Sequence, residues 1–268
     1  MSLARIALRI AAVEALKGRT LVGDHVLDTP NGALDIQADG RLRTEEEKPF
    51  VSVFTDLGRA DGITGRSLIE NGDCDIVFEI GVSSAMLHRD DETGASHMVG
   101  INIPASDGNR EFFLDIVQRQ ICDALTDPDN SWAEIYRSLH HGILKIEFAG
   151  ARTSEDSQRL AGHQMKLTVS LINDPLRGDE LEQGTPFAEF LTALDASENA
   201  SYLKQAAQIR GMLSGVDPDW KYIRRRHGMT AAEAETLGHA PLALTPDGDE
   251  TDFTAARIEI DGLGVFEV

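Results

Sequence analysis

The segment Asp73–Ser84, DCDIVFEIGVSS, alternates with a period of two: Ile76, Phe78, Ile80 and Val82 share one side, Asp75 and Glu79 the other. Extended chains point successive side chains to opposite faces, so this spacing makes a half-buried strand of an antiparallel sheet. The same alternation returns twice. In Ile143–Ala149, Leu144, Ile146 and Phe148 stand against Lys145 and Glu147. In Gly162–Ile172, Met165, Leu167, Val169 and Leu171 stand against Lys166, Thr168 and Ser170. A fourth strand is expected at Pro49–Asp56, where β-branched and aromatic residues dominate and Pro is confined to the first position. Weaker strand candidates are Thr20–Leu27 and Met98–Ile103.

Helical spacing marks the material that covers this sheet. Leu3, Ile6, Ile10 and Val13 form one stripe over Leu3–Leu16, with Ser2 as the N-cap and Gly18 as the stop. A second helix is expected over Asn109–Leu125, capped by Asp107 or Asn109, with Phe113, Ile116, Val117 and Ile121 on one side. A shorter one follows at Trp132–Leu139. Segregated strands and helices predict an α+β fold: an antiparallel sheet of about four to five strands, packed on one face by helices.

The pattern closes near Asn173-Asp174-Pro175. We therefore expect a main domain over 1–178 and a mainly helical C-terminal extension over 179–268. The extension opens at Thr185-Pro186, an N-cap followed by Pro at the first helical position. A helix then runs from Ser197 to Leu213, and Thr230–Glu233 has the spacing of a capping box, with Gly238 as the stop. A short strand, Ala255–Ile260, comes last.

Chemistry is harder to find. No dinucleotide or phosphate-binding glycine pattern, nucleophile elbow or His-Glu-x-x-His motif is present. We assign no catalytic residue, no metal ligand and no cofactor. His88, Asp90, Asp91, Glu92 and His97 read as a solvated polar loop. Asp247, Asp249, Glu250 and Asp252 do not keep the order of a calcium-binding loop. Asp73, Asp75 and Glu79 fit the wet face of a sheet. Cys74 and Cys122 read as small buried hydrophobes. His140 and His141 fit a helix C-terminus.

Forty-five acidic residues against 25 basic ones give a net charge of −20. A broad nucleic-acid face needs clustered Lys and Arg, so this balance argues against one, and against adhesion to anionic membranes. No stretch reaches the ~18 apolar residues of a membrane span. Arg5, Arg9 and Glu14 interrupt Met1–Gly18, which does not fit a secretory leader. One basic cluster opposes the trend: Lys221, Arg224, Arg225 and Arg226, with Trp220 and Tyr222 among them. In so acidic a chain we take it as a candidate interface for an acidic neighbour.

Four segments, in order, resemble the tail terminator family of long-tailed bacteriophages, lambda-type members included. They are the opening helix LARIALRIAAVEAL, the Pro-led strand PFVSVFTD, the alternating strand DCDIVFEIGVSS followed by the helix REFFLDIVQRQICDAL, and the closing strand in SEDSQRLAGHQMKLTVSLI. The resemblance covers about residues 1–175. The loop between Ala85 and Pro104 is longer than the family pattern, and the part from 179 on has no counterpart in compact members. The resemblance implies a homohexameric ring, assembled in the host cytoplasm and placed in the virion at the tail–neck junction. Its partners would be further copies of itself, the tail tube protein and head-completion proteins, with DNA passing through the lumen unbound. It implies no catalysis. Another neck or head-completion protein is the near alternative. A metal-dependent hydrolase using Asp75, Glu79 or Asp91, and a monomeric binding module, are alternatives of other classes.

Overall fold

The computed structural model describes residues 2–30, 35–36, 42–43, 46–63, 65–83, 87–89, 96–98, 106–153, 160–239, 257–260 and 264–267. In chain order the elements are α1 (Leu3–Leu16), β1 (Val26–Asp28), β2 (Asp35–Ile36), β3 (Leu42–Arg43), β4 (Phe50–Arg59), β5 (Asp73–Ser83), β6 (Leu87–Arg89) and β7 (Ser96–Met98). Then follow α2 (Asp107–Thr126), α3 (Ser131–Ser138), β8 (His140–Thr153), β9 (Leu160–Leu171), α4 (Pro186–Asp195), α5 (Ala200–Leu213), α6 (Asp219–His227), α7 (Ala231–Thr236), β10 (Arg257–Ile260) and β11 (Gly264–Glu267). They fall into two units, residues 1–63 with 69–214, and residues 64–68 with 215–268.

The first unit is built on a five-stranded sheet in the order β1-β4-β5-β9-β8. The α+β class holds. The sheet is mixed, however, because β1 runs parallel to β4 while the other pairings are antiparallel. Parallel neighbours need a long crossover, and the connection 29–49 is long enough to supply it. The strand candidate at Thr20–Leu27 is thus corrected to Val26–Asp28, after a turn that uses left-handed Gly18 and Gly23.

In β5, Cys74, Ile76, Phe78, Ile80 and Val82 are buried on the helix side, as the period of two requires. They meet Val169, Leu167, Met165, His163 and Ala161 of β9 in register. The helices α1, α2 and α3 pack on one another and on this face.

Helix α1 is more deeply placed than its single stripe suggests. Ala4, Ala7, Leu8, Ile10, Ala11, Ala12, Val13, Ala15 and Leu16 are all buried. A helix that is apolar nearly all round is an interior one. Its N-terminus is satisfied twice. Ser2 Oγ accepts from Arg5 N at 3.1 Å, and the Asp174 carboxylate accepts from Leu3 N and Ala4 N at 2.9 Å each. A carboxylate there also offsets the positive end of the helix dipole.

Helix α2 is capped by Ser106, whose hydroxyl accepts from Asn109 N, and not by Asp107 or Asn109. Those two lie inside the first turn, where Asp107 instead pairs with Arg110. Asn130 caps α3 and donates Nδ2–H to Ala15 O at 2.9 Å, tying the start of α3 to the end of α1.

The expected boundary at 178/179 lies elsewhere, because α4 and α5 belong to the first unit. Phe187, Phe190, Leu191 and Leu194 of α4 and Tyr202 and Ala206 of α5 are buried in the same apolar cluster as α1. Tyr202 Oη donates to Glu14 Oε1 at 2.7 Å. The division falls after Ser214.

In the second unit, α6 ends at left-handed Gly228 and α7 starts with the expected capping box of Thr230 and Glu233. Arg66 binds this corner, donating to Gly228 O at 2.9 Å and pairing with Glu233. β10 and β11 form an antiparallel hairpin, which places the expected strand at 257–260.

Candidate assembly interface

β8 is the last strand of the sheet and has β9 as its only hydrogen-bonded neighbour among the described residues. At 14 residues it is twice as long as the alternation of Ile143–Ala149 indicates. Two register shifts, at His140/Gly142 and Ile143/Lys145, bend it. The second brings both Ile143 and Ile146 opposite helix-side residues, Val169 and Leu167. Phe148 lies opposite Met165 in the same way.

Those side chains should be covered, and they are not. Helix α2 lies over β5 and β9, and α3 meets β8. Yet Ile143, Leu144, Ile146 and Phe148 stay 47%, 58%, 49% and 59% exposed. Phe112 of α2 is 56% exposed as well. β3 approaches β8 without hydrogen bonding to it. A long apolar edge with free backbone groups is a template for another chain.

On the opposite face of the sheet the polar side chains of β5, β8 and β9 pair with one another, while Ser52 Oγ of β4, opposite Glu79, is buried without a partner among the described residues. Lys166 Nζ stands 2.8 Å from Glu147 and 3.4 Å from Asp75, and Lys145 stands 2.8 Å from Glu147. Thr168 donates to Asp75 at 2.6 Å, and Gln164 donates to Glu79 at 3.1 Å. Hydrogen bonds from Lys145 and Lys166 hold the Glu147 carboxyl down at about 2. Burial pushes the Glu79 carboxyl up, against the pull of Gln164. Asp75 is only 7% exposed, which corrects the reading of this face as simply wet. Its oxygens are engaged by Thr168 and Lys166, so the arrangement locks the sheet together and does not present an open pair of ligands.

The basic cluster lies on α6, a helix the spacing of apolar residues did not reveal. Lys221 Nζ and the Arg224 guanidinium sit 5.2 and 5.7 Å from the centre of the Trp220 ring. Arg225 pairs with Asp217 at 2.7 Å, while Arg226 is exposed. Tyr222 is half-buried. No residue of α6 is fully buried, so it is a charged surface helix.

Among the other candidates, His88 and His97 are register partners in the antiparallel β6–β7 pair. The region expected as a loop therefore has paired ends. Asp90, Asp91 and Glu92, most of Met98–Ile103, and Asp247, Asp249, Glu250 and Asp252 lie outside the described residues. Cys74 and Cys122 are free, and burial raises both thiols above their usual range. His140 opens β8 in place of ending a helix, with its ring edge-on to Tyr136 at 5.1 Å.

Sequence reasoning missed one juxtaposition. His163 of β9 meets Glu111 and Asp115 of α2. His163 and Glu111 are 52 residues apart in the chain, and only the i, i+4 spacing of the two carboxylates hinted at it.

No family model matches the sequence, and no curated protein matches it. No helix among the described residues is long and apolar enough to cross a membrane.

Proposed function

We propose that this chain is a structural assembly protein that closes the head-proximal end of a long phage tail tube as a ring of identical subunits. The single observation that carries the reading is the half-exposed apolar row Ile143, Leu144, Ile146 and Phe148 on the edge strand β8. The occupant of that edge is a second copy of the chain. The order of the four resembling segments supports the same assignment, and their elements α1, β4, β5, α2 and β9 all lie in the sheet-bearing unit.

Magnitudes favour a ring over an isolated pair. Fully burying a large apolar side chain stabilises by about 1.5–3 kcal/mol, so four half-exposed ones offer roughly 3–6 kcal/mol. Association itself costs about 4–15 kcal/mol in lost freedom. One such contact is weak. In a closed ring every subunit makes two, and backbone hydrogen bonds along β8 add to each. Assembly should therefore depend on concentration and be promoted by the tube end. The strong negative charge, −20 per chain, would keep DNA in transit from adhering to the ring.

Light scattering across a concentration series, with and without tail tube protein, tests the reading. The expected result is hexamers that form reversibly or on addition of tube protein, and loss of both in Ile146→Asp or Phe148→Asp. A wild-type chain that stays monomeric and ignores tube protein would sink it. Partner order in the particle separates a terminator from a neighbouring neck protein.

A further inference from the structure

We propose that His163, Glu111 and Asp115 form a binding site for a divalent transition metal ion, zinc being the best match, which clips α2 to β9. One ring nitrogen of His163 and one oxygen of each carboxylate lie within 4.8 Å of one another. His163 Nε2 is 3.0 Å from Glu111 Oε1, and Nδ1 is 3.7 Å from Asp115 Oδ1. Ligand atoms about 2.0–2.2 Å from a zinc ion are separated from one another by roughly 3.0–3.5 Å. Glu111 is at that spacing from Nε2 and Asp115 close to it from Nδ1, so gathering all three on one nitrogen's ion takes a small turn of the ring or of the exposed Asp115 carboxylate.

The position of His163 is unusual for its strand. It belongs to the helix-side row of β9, between buried Ala161 and Met165, and opposite buried Ile80 of β5. Every other residue of that row is apolar. Its side chain is 12% exposed, against 35% for Glu111 and 64% for Asp115. The nitrogen is therefore held by the sheet while the carboxylates approach from the solvent side.

Charge makes the case for a cation. Glu111 and Asp115 are i, i+4 on one helix, where like charges repel. A neutral imidazole carries one N–H, so its other nitrogen would aim a lone pair at a carboxylate. A positive charge beside two carboxylates is favoured, and either a protonated imidazole or a divalent ion supplies it. With the ion, the metal takes one nitrogen's lone pair and the other nitrogen keeps its proton. One imidazole with two carboxylates suits zinc and its neighbours. Calcium takes six to eight oxygens, and magnesium prefers oxygen and water. Three protein ligands leave a coordination position open to water.

The test uses the full chain, stripped with chelator and titrated calorimetrically with zinc chloride, with thermal melts alongside. One zinc per chain at micromolar affinity or better is expected, together with a higher melting midpoint when zinc is present. His163→Gln should weaken binding roughly tenfold or more. Should that variant fold poorly, Glu111→Gln with Asp115→Asn removes two surface ligands and must give the same loss. Absence of zinc binding by the wild type overturns the proposal, and so does undiminished binding by either variant. The outcome is independent of ring formation, which the mass measurement reads separately.

Discussion

Gly81 of β5 lies directly beneath the ring of Phe50, its partner in β4, and a Cβ built on Gly81 would overlap that ring. Phe50 is fully buried on the side of the sheet away from α2, with the His25 ring edge-on at 6.3 Å. The absence of a side chain at 81 is what lets the aromatic ring lie down. Gly81→Ala should therefore destabilise the chain by about 1–3 kcal/mol, the usual cost of overpacking. Urea unfolding measures this, and a wild-type midpoint would refute the close approach.

Asn130 is buried and serves three elements at once. Its Oδ1 accepts from Trp132 N and Ala133 N, while Nδ2 donates to Ala15 O and Ala124 O. Asn130→Ala removes a cap and leaves buried backbone groups unpaired. The expected loss is about 2 kcal/mol or more of unfolding free energy. Asn130→Asp should restore the cap but not the donations, and fall between the two.

Tyr136 is buried, and its hydroxyl has no hydrogen-bond partner among the described residues. Burial also pushes its ionisation far above the usual range for a phenol. Removing an unsatisfied polar atom while keeping the ring should be neutral or stabilise by up to about 1 kcal/mol. Tyr136→Phe tests this in a thermal melt, and a clear loss of stability would reveal a partner for the hydroxyl.

Burial lowers the His140 pKa, and the neighbouring His141 adds to the effect. Neither ring nitrogen has a partner among the described residues. A depressed folded pKa means that the unfolded chain binds the proton more readily. The contribution to stability is thus complete above the ordinary value of about 6.5 and is lost as pH falls below it. His140→Phe should lose less stability than wild type between pH 7.5 and 5.5, measured by paired urea titrations. Equal losses would exclude His140 as a source of the acid sensitivity.

The strands β5 and β9 were legible because their two faces differ, and a one-residue slip would exchange them. Helix α1 was legible as a helix, but its burial on nearly all sides was not. That burial is completed by α4 and α5, and Tyr202 meets Glu14 across 188 positions of sequence. The same distance hid the extent of the first unit. β1 was expected at Thr20–Leu27, too early and too long, because its three residues carry no period. α6 escaped because it has no buried residue to set one. Of the candidate interface, Leu144, Ile146 and Phe148 were visible as an apolar row. Their exposure was not, because it depends on where α2 and α3 stop.

Asp174 accepts hydrogen bonds from the first two residues of α1, and it follows them by 171 and 170 positions. During synthesis α1 leaves the ribosome well before its anchor is translated, greasy on almost every side. Its partner Asn130 is made before that anchor, but its cover, α4 and α5, comes later still. The helix can therefore settle only after α5 has been made, which makes nascent α1 a client for whatever shields apolar segments in the cell.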